Sequence, residues 1–316
     1  MTIEILHGDC RALLSGLPDR HFRTCVTSPP YLWQRKYLPA GHADEAREIG
    51  QEPTIAGYVG GLVALFRLVR EKLTDDGTLW LNLGDAYAND AKWGGSTSGT
   101  HATKLHGKTA TARERHHSGL PPKCLMMLPA RVALALIDDG WTLRAEIVWE
   151  KPNAMPSSVE DRPTRTHEMV FLFSKFERYY FDGNAIREAA VTTSSGNKKR
   201  KHADGTEGRP QTHMGRGIPW TSTDGGRHPR SVWSINTEPG DGEHAAPMPR
   251  ALARRCLLAG SAIGDHVLDP FGGSGTVGVV AEEEGRHATL IDLDERACAQ
   301  AEKRTRQQGL YAGRAA

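Results

Sequence analysis

No run of apolar residues in this 316-residue chain approaches the ~18 that a membrane-spanning helix needs. The opening Met1-Thr2-Ile3-Glu4-Ile5 lacks a basic stretch followed by an apolar core, so no secretory leader is expected. Cysteine is sparse. The five present (Cys10, Cys25, Cys124, Cys256, Cys298) are scattered without a CxxC pair, which argues against a disulfide framework and suits a reducing cytoplasm. The only adjacent histidines, His116-His117, stand in a polar stretch with no cysteine nearby, and no metal is expected. Charge of one sign is not in excess: 40 basic residues oppose 38 acidic ones, so net charge names no polyanionic partner. What remains, 38% hydrophobic and 25% charged residues, is ordinary globular composition. The length suits one large α/β domain with insertions, or two modest domains.

Periodicity then supplies elements. Ile3-Glu4-Ile5-Leu6, running into His7-Gly8-Asp9, reads as a strand. Phe22-Arg23-Thr24-Cys25-Val26 reads as a second, cut off by Pro29-Pro30 because proline cannot donate to a ladder. Ile55, Tyr58, Val59, Leu62, Val63, Phe66, Val69 and Leu73 recur at helical spacing behind Thr54 as cap. Asp75-Asp76-Gly77 predicts a turn, and residues 78–83 a buried strand. Further on come a helix near 125–137, a strand over 145–149, and a strand pair or long hairpin from 169–174 and 178–181. The end reads as a helix at 252–258, a strand Val267-Leu268-Asp269, a glycine-rich turn, a helix over 276–284, a strand at 287–292 and a helix capped by Asp294. Strand, glycine turn, helix and strand together make a βαβ unit of a parallel sheet.

Two stretches lose the hydrophobic pattern. Residues 89–119 are rich in Gly, Ser, Thr and His, with Lys92, Lys104, Lys108, Arg113 and Arg115 against Asp90 and Glu114. A loop of that length inside a domain is functional or disordered. Residues 191–230 hold eight basic residues, among them Lys198, Lys199, Arg200, Lys201, Arg209 and Arg216, against three acidic ones. A flexible segment that meets phosphates has this composition, as does a solvated linker.

The turn Gly272-Gly273-Ser274-Gly275 brings backbone close to a ligand at a helix N-terminus, and Asp292 at the next strand tip is placed to accept ribose hydroxyls. Turn and acid alone leave several nucleotide-like ligands open. The longer peptide Asp269-Pro270-Phe271-Gly272-Gly273-Ser274-Gly275-Thr276 is more specific: it resembles, nearly letter for letter, the S-adenosyl-L-methionine loop of DNA amino-methyltransferases. Thr27-Ser28-Pro29-Pro30-Tyr31 resembles the target-base motif of the same family. With the base-binding peptide leading, the chain resembles the permuted β-class arrangement over nearly its whole length.

That resemblance implies a Rossmann-like α/β fold, a mostly parallel sheet with an antiparallel hairpin edge and a small basic DNA-recognition insertion. It divides the chain into a target-base half (1–190), an insertion (191–230) and a cofactor half (231–316). It implies that Phe271 packs on the cofactor and that Asp9, in Gly8-Asp9-Cys10, binds the adenine amino group. Cys10, Asp269, Gly272, Gly273, Ser274, Gly275, Thr276 and Asp292 complete the cofactor set, and the segment with His244 and Pro247 lines its methionine side. Trp149, Lys151 and Asn153 match the strand end beside the target pocket; for Asn153 a base contact and a turn role both stay open. After Tyr31 the chain reads Leu32-Trp33-Gln34, a departure from the family pattern.

The chemistry fits those residue types. An exocyclic amino nitrogen is a weak nucleophile because its lone pair is conjugated into the ring. Acceptors at its two hydrogens and a flat surface for the ring are needed. Ser28 and the Pro29 carbonyl supply the acceptors, Pro29 and Pro30 stiffen the loop, and Tyr31 stacks. A base must leave the duplex to reach such a pocket. A carbon-5 cytosine enzyme would need cysteine directly after proline, and the chain has no Pro-Cys. The resemblance implies N4 of cytosine, because adenine-modifying members of the family usually carry Asp or Asn where this chain has Ser28, with N6 of adenine as the alternative and a catalytically silent nucleic-acid-binding protein as a second. The expected partner is double-stranded DNA gripped by the basic insertion. Monomer or homodimer, and a separately encoded restriction endonuclease, stay open.

Overall fold

The computed structural model describes residues 1–88, 118–157, 159–188, 226–239 and 247–312, with side chains as far as 305. Most of the 89–119 loop, residues 191–225 of the basic stretch (including Lys198, Lys199, Arg200, Lys201, Arg209 and Arg216) and His244 lie outside the described residues.

The strands are β1 (Ile3–His7), β2 (Phe22–Thr27), β3 (Leu73–Leu83), β4 (Thr142–Glu150), β5 (His167–Ser174), β6 (Val232–Ser234), β7 (His266–Asp269) and β8 (His287–Asp292). The helices are α1 (Cys10–Gly16), α2 (Ile55–Lys72), α3 (Leu128–Asp138), α4 (Arg250–Gly260), α5 (Thr276–Glu283) and α6 (Glu295–Ala312). One sheet holds all these strands in the order β1-β8-β7-β2-β3-β5-β4-β6. Only β5 runs against its neighbours, pairing antiparallel with β3 and β4. Consecutive β4 and β5 therefore form the hairpin, one strand in from the edge that the short β6 closes.

Helices cover both faces, so the central strands are apolar on both sides, as a parallel sheet requires. Leu14, Tyr58, Leu62, Phe66, Val132 and Leu136 pack α1, α2 and α3 on one face. Leu252, Leu257, Val277 and Val280 pack α4 and α5 on the other, beside Trp80 and Trp233, whose rings lie 6.1 Å apart. Helix α2 starts where the sequence places its cap: Thr54 Oγ1 accepts the Gly57 amide at 3.0 Å.

Two local expectations change. Asp75-Asp76-Gly77 does not precede the strand but bulges within β3, because Leu73 already pairs with Phe22 and pairing resumes at Thr24 with Thr78. Residues 178–181 are not a strand. The side positions of β5 are already taken by β3 and β4, and this segment packs instead, with Phe181 beside Trp80 at 6.5 Å and the Tyr180 amide on the Asp76 carbonyl.

Strand direction sets the site. The carboxyl ends of β1, β8, β7, β2, β3, β4 and β6 share one edge, and β5, running the other way, brings its first residues there. Ligands of open α/β sheets bind outside that edge. No described helix is long and apolar enough to cross a membrane.

Candidate active site

A cavity of about 340 Å³ opens at that edge, and peptides from both ends of the chain line it. β2 and β7 are neighbours, so Ser28 and Asp269, 241 positions apart in sequence, stand at the carboxyl ends of adjacent strands.

One wall is the turn after β7. Gly273 (φ +51°) and Gly275 (φ +82°) hold left-handed backbone that glycine adopts without strain. Gly272 and Gly273 line the cavity, whereas Gly275 packs outward: a Cβ there would lie 2.7 Å from that of Ala301 on α6. Arg304 of α6 grips the turn from behind, donating to the Ser274 carbonyl (2.8 Å) and hydroxyl (2.7 Å). Phe271, Ser274 and Thr276 line the cavity, as does Pro247. Gly273, Gly275 and Gly278 also satisfy GxGxxG spacing, so the turn alone does not separate this site from a dinucleotide site.

Carboxylates ring this wall. Asp292 accepts the Gly273 amide on one oxygen (2.8 Å) and the Asp294 amide on the other (2.9 Å). Asp269 accepts the Thr27 hydroxyl (2.6 Å) and the Phe271 amide (3.1 Å). Burial pushes the Asp269 carboxyl up to about 7; those two hydrogen bonds oppose the rise and the Asp292 charge adds to it. Asp9 caps α1 by accepting the Arg11 amide (3.0 Å), and the Arg11 guanidinium holds both its oxygens at 2.9 Å. Burial pushes Asp9 upward, but the bonds and charge of Arg11 prevail and keep it below the usual carboxylate value. Cys10 beside it is a buried thiol raised to about 12 by desolvation, inert as a nucleophile.

The facing wall is the loop after β2. Ser28, Pro29, Pro30 and Tyr31 all line the cavity, and the Tyr58 hydroxyl of α2 braces them by donating to the Pro30 carbonyl at 3.0 Å. The Tyr31 hydroxyl donates to Glu168 Oε2 at 2.7 Å and lies 3.2 Å from Ser28 Oγ. Glu168 is ion-paired through Oε1 with Lys151 Nζ, which sits 4.4 Å from the Trp149 ring centroid. Asn82 Nδ2 donates to Glu168 Oε2 and to the Met169 carbonyl, both at 3.2 Å. Burial, then the Glu168 charge, drives the Tyr31 phenol well above its usual range and keeps it protonated. Trp149 and Lys151 line the cavity; Asn153 does not, because its amide is engaged by Thr237 through Nδ2 (3.0 Å) and Oδ1 (2.8 Å).

Sequence reading missed Asn82 and Glu168. Each left a signal: Asn82 is a polar residue inside the apolar run 79–83, and Glu168 opens the apolar strand 169–173. It also missed the outer rim, where buried Glu48 accepts the amides of Tyr37 (2.6 Å) and Leu38 (3.3 Å), and Arg296 donates to the Tyr37 carbonyl (3.0 Å).

The profile of the DNA methylase family matches residues 22–303. The chain is 43% identical over 303 residues to the Type II methyltransferase M.SmaI of Serratia marcescens, across 96% of this chain and 90% of that one. To M.Cfr9I of Citrobacter freundii it is 40% identical over 295 residues, across 92% and 83%. Among solved structures, PvuII DNA methyltransferase (cytosine-N4-specific) is similar in fold, with a TM-score of 0.62 and 21% identity over 96% of this chain and 87% of that one. A putative DNA modification methylase of Thermus thermophilus, complexed with S-adenosyl-L-methionine, gives 0.56 and 21% over 97% and 94%. With the profile running from β2 into α6 and relatives of 40% identity or more along nearly the whole chain, this protein belongs to the N6/N4 DNA methylase family.

Proposed function

We propose that this DNA methylase transfers the methyl group of S-adenosyl-L-methionine to N4 of a cytosine flipped out of double-stranded DNA. The observation that carries this reading is the single cavity lined both by Ser28-Pro29-Pro30-Tyr31 and by the turn through Asp269, Phe271 and Gly273. The donor set fits the cofactor. Asp9, Asp269, Asp292 and Asp294 line the cavity with carboxylates that suit a molecule bearing a sulfonium, an ammonium, ribose hydroxyls and an adenine amino group. Asp292 would hold the ribose, Asp9 the adenine amino group, Phe271 the ring face, and Pro247 would line the methionine side. When bound, S-adenosyl-L-methionine supplies a methyl group on positive sulfur that even a weak nucleophile can take.

The remaining work is the protein's. Ser28 Oγ and the Pro29 carbonyl accept the two amino hydrogens and bias the nitrogen toward tetrahedral geometry, with Pro30 and Tyr58 keeping the loop in place. Tyr31 gives the base a flat neighbour, and Trp149 and Lys151 bound the same pocket. Serine at position 28 supports cytosine, as does the fold shared with a methyltransferase described as cytosine-N4-specific. The motif order supports the permuted β-class arrangement, with a target half (1–190), a recognition insertion (191–230) and a cofactor half (231–316). Lys198–Lys201 of that insertion is the assigned phosphate contact. Relatives described as Type II methyltransferases support a modification role beside a restriction endonuclease.

Methylating duplex DNA with labelled donor and digesting it to nucleosides tests the assignment. N4-methylcytosine is the expected product, and N6-methyladenine alone would overturn the base. Ser28→Ala should bind donor normally and lose turnover; undetectable turnover in the wild type would favour the silent reading.

A further inference from the structure

Putting a methyl group on an amino nitrogen forms one N–C bond, with the electrons of the broken bond staying on the leaving sulfur, and obliges the nitrogen to shed one hydrogen as a proton. We infer that Glu168 receives that proton through Tyr31 and Ser28, and that it sets the direction of their hydroxyls beforehand. The inference rests on the proposed amino-methyl transfer and adds the residue that polarises the pocket.

Direction follows from counting hydrogens. Glu168 is ion-paired to Lys151 through Oε1 and accepts Asn82 Nδ2 on Oε2, so it faces Tyr31 as an acceptor. The phenol has one hydrogen. It goes to the 2.7 Å contact with Glu168 rather than the 3.3 Å contact with Asn82 Oδ1. The Tyr31 oxygen can then only accept from Ser28, 3.2 Å away. Ser28 therefore turns its hydrogen toward Tyr31 and its lone pairs toward the cavity, the polarity an amino group requires. The same chain carries the proton out: amino nitrogen to Ser28 Oγ, the Ser28 hydrogen to Tyr31, the Tyr31 hydrogen to Glu168. Each oxygen gives one hydrogen as it takes one, so only Glu168 changes charge.

The competing account is structural. Glu168 pairs with Trp149 across β4 and β5, and its bond to Lys151 could merely fasten the hairpin. Three substitutions, two of them also combined, separate the two. Glu168→Gln keeps an oxygen for the Tyr31 hydroxyl but cannot take up a proton, so the single-turnover rate should fall about 10²-fold with donor affinity and KM for DNA within threefold of wild type. Tyr31→Phe breaks the chain one link earlier, and the double variant should be no slower than the slower single one. Glu168→Ala leaves a gap, and formate should restore much of the rate there while chloride at equal ionic strength does not. A Glu168→Gln rate within threefold of wild type, losses that multiply in the double variant, or no formate rescue would each overturn the relay. Loss of donor binding in both Glu168 variants would assign the residue to the hairpin alone and overturn it too. A product other than N4-methylcytosine from the wild type would instead sink the base assignment, since any amino acceptor uses the same chain.

Discussion

Replacing Gly84 by alanine should cripple methyl transfer while leaving donor binding intact. Gly84 follows β3, and a Cβ built there lies 2.8 Å from Cδ2 and 3.2 Å from Cζ of Tyr31, and closer still to Cε2. Carbon atoms in comfortable contact sit ~3.5–4.0 Å apart, so the ring must retreat by roughly 1 Å. Overpacking of this kind costs about 1–3 kcal/mol in stability. The retreat also stretches the 2.7 Å bond from Tyr31 to Glu168 toward a distance that no longer counts as a hydrogen bond. Misplacing a positioning group by ~1 Å costs on the order of 10² in rate. The assay is the single-turnover rate on duplex DNA, with donor affinity by calorimetry and a melting curve as controls. Combining Gly84→Ala with Tyr31→Ala supplies the internal check, because removing the ring removes the clash. The double variant should be no slower than Tyr31→Ala. A Gly84→Ala enzyme within threefold of wild type, or a double variant clearly slower than Tyr31→Ala, would refute the reasoning.

Asp269→Asn keeps both acceptor contacts of Asp269 and removes its titration. With the folded value raised to about 7, far above the ordinary 3.8, the folded state holds the extra proton between those limits. Its contribution is present below about 4 and lost as pH rises through about 7, so wild type should lose on the order of 4 kcal/mol relative to Asp269→Asn over that window. Melting curves of donor-free protein against pH read the difference, and a constant gap would contradict it. Arg304→Ala should weaken donor binding about tenfold, measured by calorimetry, by releasing Ser274; unchanged affinity would show that the turn holds itself. Thr54→Ala should lower stability by about 1 kcal/mol through loss of the α2 cap, read by denaturant titration. His266 has its imidazole depressed by burial and by His21 and His287, so its contribution is present above about 6.5 and lost as pH falls below it. Replacing it with Gln should flatten acid destabilisation in that range.

Most of the frame was legible because it depends on local pattern. The apolar runs of β2 and β7, the α2 stripe behind Thr54 and the glycine turn each carry their signal within a few residues. The two motif peptides were legible as chemistry, yet their meeting was implied only by resemblance. The pairing of β2 with β7 is a long-range fact that no window of sequence contains. Glu168 stayed hidden for the same reason. Its role depends on β5 running against its neighbours, which delivers a strand's first residues to an edge otherwise built from carboxyl ends. The bulge at residues 74–77 escaped because Asp-Asp-Gly marks a turn whether the chain reverses or merely loops out of a continuing strand.

A crystal structure with S-adenosylhomocysteine and a cognate duplex tests the central claim most directly. The account puts the ligand against Phe271 and Gly273, and an extruded cytosine with its amino group on Ser28 and the Pro29 carbonyl. A ligand bound away from that turn, or a target base that never reaches Ser28, would contradict it.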